Sequence, residues 1–470
     1  MSSDKVVIVG AGPAGMGCAY TLSKAKKPFL VIEKDDAPGG LCCTLDFYGY
    51  LFDIGGHRFL SKSEEINRLW CDETLGVDLL RVKRLSRIYY KGQYFNYPLT
   101  FFNTFWNLGL LEGFLCIVSY LRGKYFKLGD DKTFEGWIIN RFGEKLYNIF
   151  FKTYTEKIWA FACQDLSADW AIQRIQGLSL RVAVQKAILG MHKNHPKTLS
   201  EEFFYPRTGP GEFYEKLKDL ILTQGGQFTF GKRVIGVNHD GKKIISIEFQ
   251  NKNDGLREEL PVDYMFSSIP LTLLLRFLNP RPPEDILTCA QKLSFRSFLA
   301  INIILDKEHV FKDQWIYVHS PEVRLGRIQN YKNWSPAMVI DPKKTSLGLE
   351  YFCTEGDEFW NINDIDLVNY AVEELEKIGI AARKYLINGF VVRRENAYPI
   401  YSLDYKECIG NIRDYLDRFG NLQTIGRGGL FRYDNSDHAL LTGIYAARNF
   451  LGEGSFDVWQ VNTDREYLES

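Results

Sequence analysis

Three glycines and an acid are the first residues whose types and spacing could do chemistry. Gly10, Gly12 and Gly15 form a Gly-x-Gly-x-x-Gly run directly after the apolar Val6-Val7-Ile8-Val9, and Glu33 closes a second apolar run, Val31-Ile32. Gly10 allows a tight strand-to-helix turn, Gly12 lets the backbone approach a pyrophosphate, and Gly15 lets helix and strand pack closely. Pro13 and Ala14 open the helix, whose N-terminus offers free N–H groups and a partial positive charge to phosphate. Glu33, about twenty residues further on, is placed to accept hydrogen bonds from a ribose, with Lys34 beside it. Together these residues predict a dinucleotide site.

Other candidates are scattered along the chain. Gly39-Gly40-Leu41 lies in a turn-rich loop, and Gly55-Gly56-His57 follows a short apolar run. Paired glycines there mean either backbone packed against a flat ligand or two tight turns. Trp315 and Tyr317, two apart, share a strand face, which makes either a stacking wall for a base or a hydrophobic sheet face. His57 has a side chain that ordinarily titrates near neutrality. No Ser-His-Asp set, metal-ligand cluster or paired carboxylates emerges, so no metal site is expected. That pattern suits an enzyme whose cofactor carries the chemistry.

The elements that must position these residues can be sketched from patterning. At 470 residues the chain is expected to hold two or three structural regions, and 45% apolar residues can fill a large core. Lysine plus arginine and aspartate plus glutamate are both 58, which argues against a nucleic-acid partner. Nine scattered cysteines with no Cys-x-x-Cys, and a first strand that begins almost at once, predict a reduced, cytoplasmic protein. Residues 85–98 alternate as a hairpin around Lys91-Gly92, and residues 100–195 turn helical. Residues 227–250 read as a β meander with Asp240-Gly241 as a turn. Strands dominate from 295 to 392, interrupted by a helix at 366–378. The end holds a helix at 405–419, a strand at 422–426, a loop at 427–438 and a helix at 439–450. The most lipid-like stretch, 101–120, is interrupted by Asn103, Asn107, Gly109, Glu112 and Gly113. It predicts buried helices and no transmembrane segment, with peripheral membrane contact as the alternative.

On these motifs the chain resembles the flavin enzymes of the amine-oxidase and protoporphyrinogen-oxidase superfamily, and within it the UDP-galactopyranose mutase family. Gly10 to Glu33 with Gly39-Gly40 is the generic part. The specific part is Gly55-Gly56-His57, Phe95-Asn96-Tyr97-Pro98-Leu99, Phe134-Glu135-Gly136-Trp137, Tyr154-Thr155-Glu156-Lys157-Ile158-Trp159 continued through 166–174, Trp315-x-Tyr317 followed by Arg327, Tyr398-Pro399, and Gly426-Arg427-x-Gly429-x-Phe431-Arg432-Tyr433-x-Asn435.

The resemblance implies an α/β fold: a discontinuous Rossmann-like FAD-binding domain (1–98, 196–270 and 396–470) with an inserted helical capping region (99–195) and an antiparallel β-sheet substrate region (271–395). It implies an isomerase of polysaccharide biosynthesis that interconverts the pyranose and furanose forms of a sugar nucleotide, with reduced flavin N5 as nucleophile, no net redox change, and NADPH or NADH as reductant. FAD would be held by Gly10, Gly12, Pro13, Ala14, Gly15, Glu33, Lys34, Gly39, Gly40, Leu41, Gly55, Gly56, His57, Gly426, Arg427 and Asn435. His57 would act through its backbone carbonyl near N5. Arg327 and Arg427 would meet the diphosphate as guanidinium forks. Tyr97, Tyr154, Thr155, Trp159, Arg174, Trp315, Tyr317, Tyr398 and Tyr433 would complete the substrate site. The alternatives are a flavin oxidase or desaturase acting on an apolar substrate, and a non-catalytic FAD-binding partner protein.

Overall fold

The computed structural model describes residues 5–72, 75–175 and 202–462. Val6–Val9 is buried at all four positions because it lies inside a parallel sheet covered on both faces. It pairs in parallel with Leu30–Ile32 on one side and Tyr264–Ser267 on the other. Gln227–Thr229 and Leu422–Thr424 complete this five-stranded sheet at its two edges. One Rossmann-like layer thus gathers strands from the start, middle and end of the chain. The meander expected over 227–250 forms only in part: Lys232–His239 and Ile244–Asn251, with Arg257–Pro261 and Leu278–Asn279 at the edges, make a second sheet of four strands, whereas Gln227–Thr229 belongs to the first.

The third sheet has seven strands in the order Leu386–Ile400, Ser294–Leu305, Thr345–Cys353, Arg327–Asn330, Trp315–Val318, Ser86–Tyr90 and Gln93–Asn96. The hairpin expected around Lys91-Gly92 forms, but it does not belong to the nucleotide layer. Ser86–Tyr90 pairs in parallel with Trp315–Val318 and so extends the seven-stranded sheet, with Gln93–Asn96 as its edge. Residues 86–96 therefore cross the boundary drawn at residue 98.

The helical region holds Phe101–Leu108, Leu110–Phe126, Phe134–Phe142, Thr153–Trp159 and Asp169–Ile175. Thr133 caps the third of these through the Gly136 N–H at 3.0 Å. Tyr147–Lys152 is a π-helical turn rather than ordinary helix. The expectation of buried helices over 101–120 is corrected. Gly109, at φ +86°, breaks the stretch into two helices that keep large apolar side chains on the outside. Among the described residues no helix is long and apolar enough to cross a membrane. The loop expected at 427–438 contains a short helical turn, Gly426–Gly429, and the last helix starts earlier, at Ser436–Leu451.

That last helix lies against the first, Pro13–Lys24, and glycines set the distance. A Cβ on Gly443 would collide with the Ala14 carbonyl, one on Gly17 with the Leu440 carbonyl, and one on Gly15 with the Gly10 carbonyl. Gly443→Ala should cost about 1–3 kcal/mol by overpacking and should lower the melting temperature. An unchanged melting temperature and unchanged flavin content would contradict this close-packing account.

Candidate active site

Two cavities, of about 230 and 250 Å³, meet along one trough, because Gly12, Gly40, Leu41, Ser268, Arg427 and Gly428 line both. The outer cavity reaches Gly10, Glu33 and Lys34. Gly10 sits at φ +98° with its N–H on the Ile32 carbonyl, so the turn joins the two central strands. Glu33 is buried, and its carboxylate accepts the Ala11 N–H at 2.5 Å and the Asp35 N–H at 2.8 Å. Burial raises its pKa despite those two bonds. Gly40 approaches so closely that its Cβ would stand 3.2 Å from the Gly12 Cα. Two backbones stripped of side chains, a helix N-terminus and a buried acid fit the pyrophosphate and ribose of FAD.

The inner cavity is lined by Gly56, His57, Arg58, Trp315, Tyr317, Arg327, Tyr398, Arg427, Tyr433 and Asn435, among others. Sheet register assembles one wall. Tyr317 lies opposite Arg327, and Arg327 lies opposite Glu350 on the next strand. Positions two apart share a face, so Trp315 stacks with Tyr317 at 5.5 Å, and Gln329 joins Arg327 on Glu350. The Arg327 Nη1 donates to Glu350 Oε2 at 3.0 Å, and its Nε donates to the Tyr154 hydroxyl at 3.0 Å. Burial acts to discharge Arg327, but Tyr154 and Glu350 outweigh it and the guanidinium stays charged. Of its five N–H groups, three keep no partner among the described residues.

Arg427 forms the opposite wall from the turn Gly426–Gly429. It donates through Nε and Nη2 to the Asp434 carbonyl, at 2.9 and 2.5 Å, and through Nη1 to the Ala397 carbonyl at 3.3 Å. Tyr398 and Tyr433 stack on each other at 5.5 Å, and both lie within about 5 Å of the Arg427 guanidinium. Burial raises the Tyr398 hydroxyl, which is a neutral donor at physiological pH. The His57 imidazole is also neutral: burial, then Arg427, pull its pKa down to about 4. Burial pushes the Cys42 thiol up to about 12, so it is no nucleophile.

The predicted residues fall into several groups. Gly10, Glu33 and Lys34 line the outer cavity. Gly12, Gly40 and Leu41 line both cavities, as does Arg427. Pro13, Ala14, Gly56, His57, Trp315, Tyr317, Arg327, Tyr398, Gly426, Tyr433 and Asn435 line the inner cavity. Gly15, Gly39 and Gly55 shape the walls without lining them.

Four predicted contacts stand behind the wall instead of in it. Tyr97 packs on Tyr317 at 4.6 Å, Tyr154 holds Arg327 and stacks on His319, and Trp159 buttresses Tyr398 and Tyr433. Thr155 is buried away from the cavity. Arg174 lies in Asp169–Ile175, with its side chain outside the described residues. The paired glycines also gain a different explanation. Gly56 is required by the Trp315 indole, which occupies the space of a Cβ, and a Cβ on Gly55 would stand 3.0 Å from Glu350 Oε1.

Sequence reasoning missed Glu350, Arg58, Ser268 and Lys157. Glu350 carried a signal, as a lone acid in the otherwise uncharged strand Thr345–Cys353. Lys157 donates to the carbonyls of Val318, Ser320 and Leu325, tying Thr153–Trp159 to the loop that precedes Arg327. Burial lowers its pKa to about 8.

Asp53, two residues before Gly55, accepts from the Tyr205 hydroxyl at 2.5 Å and from Thr44 at 2.8 Å. Burial raises its pKa from 3.8 to about 7. The folded protein therefore holds a proton that the unfolded chain has lost across that window, and stability falls as pH rises through it. Asp53→Asn should flatten the decline by on the order of 1 kcal/mol per pH unit. Chemical denaturation at a series of pH values measures the slope, and an unchanged slope would contradict the assignment.

Comparison with known proteins places this geometry. The fold is similar to a crystal structure of reduced UDP-galactopyranose mutase, with a TM-score of 0.84 and 22% identity over 99% of this chain and 100% of that one. It is also similar to an Exiguobacterium protein assigned as a protoporphyrinogen oxidase, with a TM-score of 0.72 and 16% identity over 97% of this chain and 100% of the other. At these identities the likeness shows the fold alone.

Two curated relatives match in short segments. The all-trans-retinol 13,14-reductase of Danio rerio is 43% identical over 51 residues, 11% of this chain and 8% of that protein. A 1-hydroxycarotenoid 3,4-desaturase of Flavobacterium is 29% identical over 97 residues, 20% of each chain. The chain thus spans a fifth or less of these relatives' own length. The model of the flavin containing amine oxidoreductases matches residues 13–430, most of the sequence, and the chain belongs to that family.

Proposed function

We propose that the chain is an FAD-dependent sugar-nucleotide mutase of the UDP-galactopyranose mutase type, an isomerase that interconverts pyranose and furanose rings. The observation that carries this reading is the pair Arg327 and Arg427, which face one cavity beside stacked aromatic rings. A nucleoside diphosphate brings about two negative charges and a planar base. Arg327 and Arg427 meet the charges through the N–H groups their protein partners leave over, and Trp315 with Tyr317 offers a face to the base. As the diphosphate separates from the sugar, the same guanidinium groups stabilise the growing charge. Tyr398 supplies a neutral hydroxyl beside the Tyr433 ring, and His57, kept neutral by burial and by Arg427, is no imidazolium acid at neutral pH.

Glycines 12 and 40, the helix N-terminus and Glu33 would hold FAD. When bound and reduced, it supplies the nucleophile for the anomeric carbon without net redox change. NADPH or NADH as the priming reductant, and a cytoplasmic place in polysaccharide biosynthesis, belong to the same proposal.

The rival reading is a flavin oxidase or desaturase with an apolar substrate. It draws on the four aromatic rings and on the names of the retinol and carotenoid relatives. The arginines weigh against it, because an apolar ligand would strip water from guanidinium groups and return no hydrogen bond.

The test is anaerobic. The reduced protein is expected to convert UDP-galactopyranose, or a related sugar nucleotide, to its furanose isomer, and the oxidised protein is not. Arg427→Ala should lower kcat/KM by about a hundredfold. Hydrogen peroxide produced from an apolar substrate, with no isomer from any sugar nucleotide, would overturn the proposal.

A further inference from the structure

The helix Leu110–Phe126 turns its apolar side away from the protein. Its small residues Gly113, Cys116 and Gly123 are buried, with Gly113 against the Phe105 ring and Gly123 against the Ile139 carbonyl. Its large residues Leu110, Leu111, Phe114, Val118, Leu121 and Tyr125 are exposed. With about 100° per residue, those six fall within an arc of roughly 100° on one face. The preceding helix, Phe101–Leu108, adds Trp106, which is 67% exposed. Amphipathic helices normally bury such a face, and a contiguous exposed apolar patch marks an interaction surface.

Charge identifies the partner. Arg122 and Lys124 fall on the two opposite margins of the arc, and Lys127 follows the helix. The only carboxylate between residues 101 and 128 is Glu112, and it is paired with Lys145 at 2.9 Å. An apolar arc that ends in tyrosine, with an exposed tryptophan on the preceding helix and long cationic side chains on both margins, matches the boundary between acyl chains and anionic headgroups. A second copy fits less well, since a two-fold contact would set the same cationic margins against each other. Neither helix is long and apolar enough to cross a membrane.

We infer that Phe101–Leu108 and Leu110–Phe126 form a peripheral docking face for an anionic lipid surface. This claim is independent of the sugar-nucleotide reading.

The experiment is co-sedimentation of the flavin-loaded full chain with phosphatidylcholine vesicles, with and without phosphatidylserine, alongside light scattering for oligomeric state. Three cations predict roughly hundredfold tighter binding to the phosphatidylserine vesicles at low salt, weakening as salt is raised. Phe114→Asp with Leu121→Asp should abolish binding while the flavin spectrum is retained. Arg122→Ala with Lys124→Ala should remove most of the preference for phosphatidylserine. Absence of binding to phosphatidylserine vesicles would overturn the inference. So would binding unchanged by the aspartate pair, or a dimer that the aspartate pair dissolves without any vesicle binding.

Discussion

The first helix of the chain, Pro13–Lys24, packs on the central sheet on one side and on the last helix, Ser436–Leu451, on the other, and at its glycines backbone meets backbone. Gly15, Gly17 and Gly443 remove the side chains that would hold these elements apart. Gly426, at φ +72°, comes so near that a Cβ would stand 2.7 Å from that of Ala14. Everything at the site depends on this approach. It brings Arg427 and Asn435, more than four hundred residues along the chain, to the mouth of the Gly10–Gly15 turn. Lose the approach and the trough opens at its centre, where the two cavities meet.

The second constraint is electrostatic. Arg327 is buried, and a buried guanidinium is tolerated only when paired. Glu350 supplies the pair from the neighbouring strand and is fixed by Gln329, with only glycine at position 55 leaving room for its carboxylate. The carboxylate thus orients the arginine and lies close to the loop that carries His57. Tyr154 and Lys157 tie the same arginine and its loop to the helical region. Nucleotide layer, sheet and helices converge on a few charged groups with little freedom to rearrange.

Local rules were enough for much of this. The Gly-x-Gly-x-x-Gly turn, the hairpin at Lys91-Gly92 and the helix Asp364–Lys377 follow from short-range glycine geometry, turn chemistry and capping, and all three formed close to where patterning put them. The site residues with motif context also met at one trough. The missed features depend on distant partners. Glu350 matters because of a residue on another strand, and Gly56 is glycine because Trp315, far along the chain, needs its space. Ser86–Tyr90 joins the distant seven-stranded sheet by pairing with Trp315–Val318, a partner that no local pattern records. The helix 110–126 misled for a related reason. Its composition suggests burial, and only the placement of Gly113, Cys116 and Gly123 decides which side faces in.

The central claim is that the inner cavity is built for an anionic nucleotide. Calorimetric titration of UDP into the oxidised flavoprotein tests it without relying on turnover. The account predicts saturable binding that weakens with added salt and is lost by at least about tenfold in Arg327→Ala and in Arg427→Ala. No measurable binding of UDP, together with saturable binding of an apolar polyene such as all-trans-retinol, would contradict it.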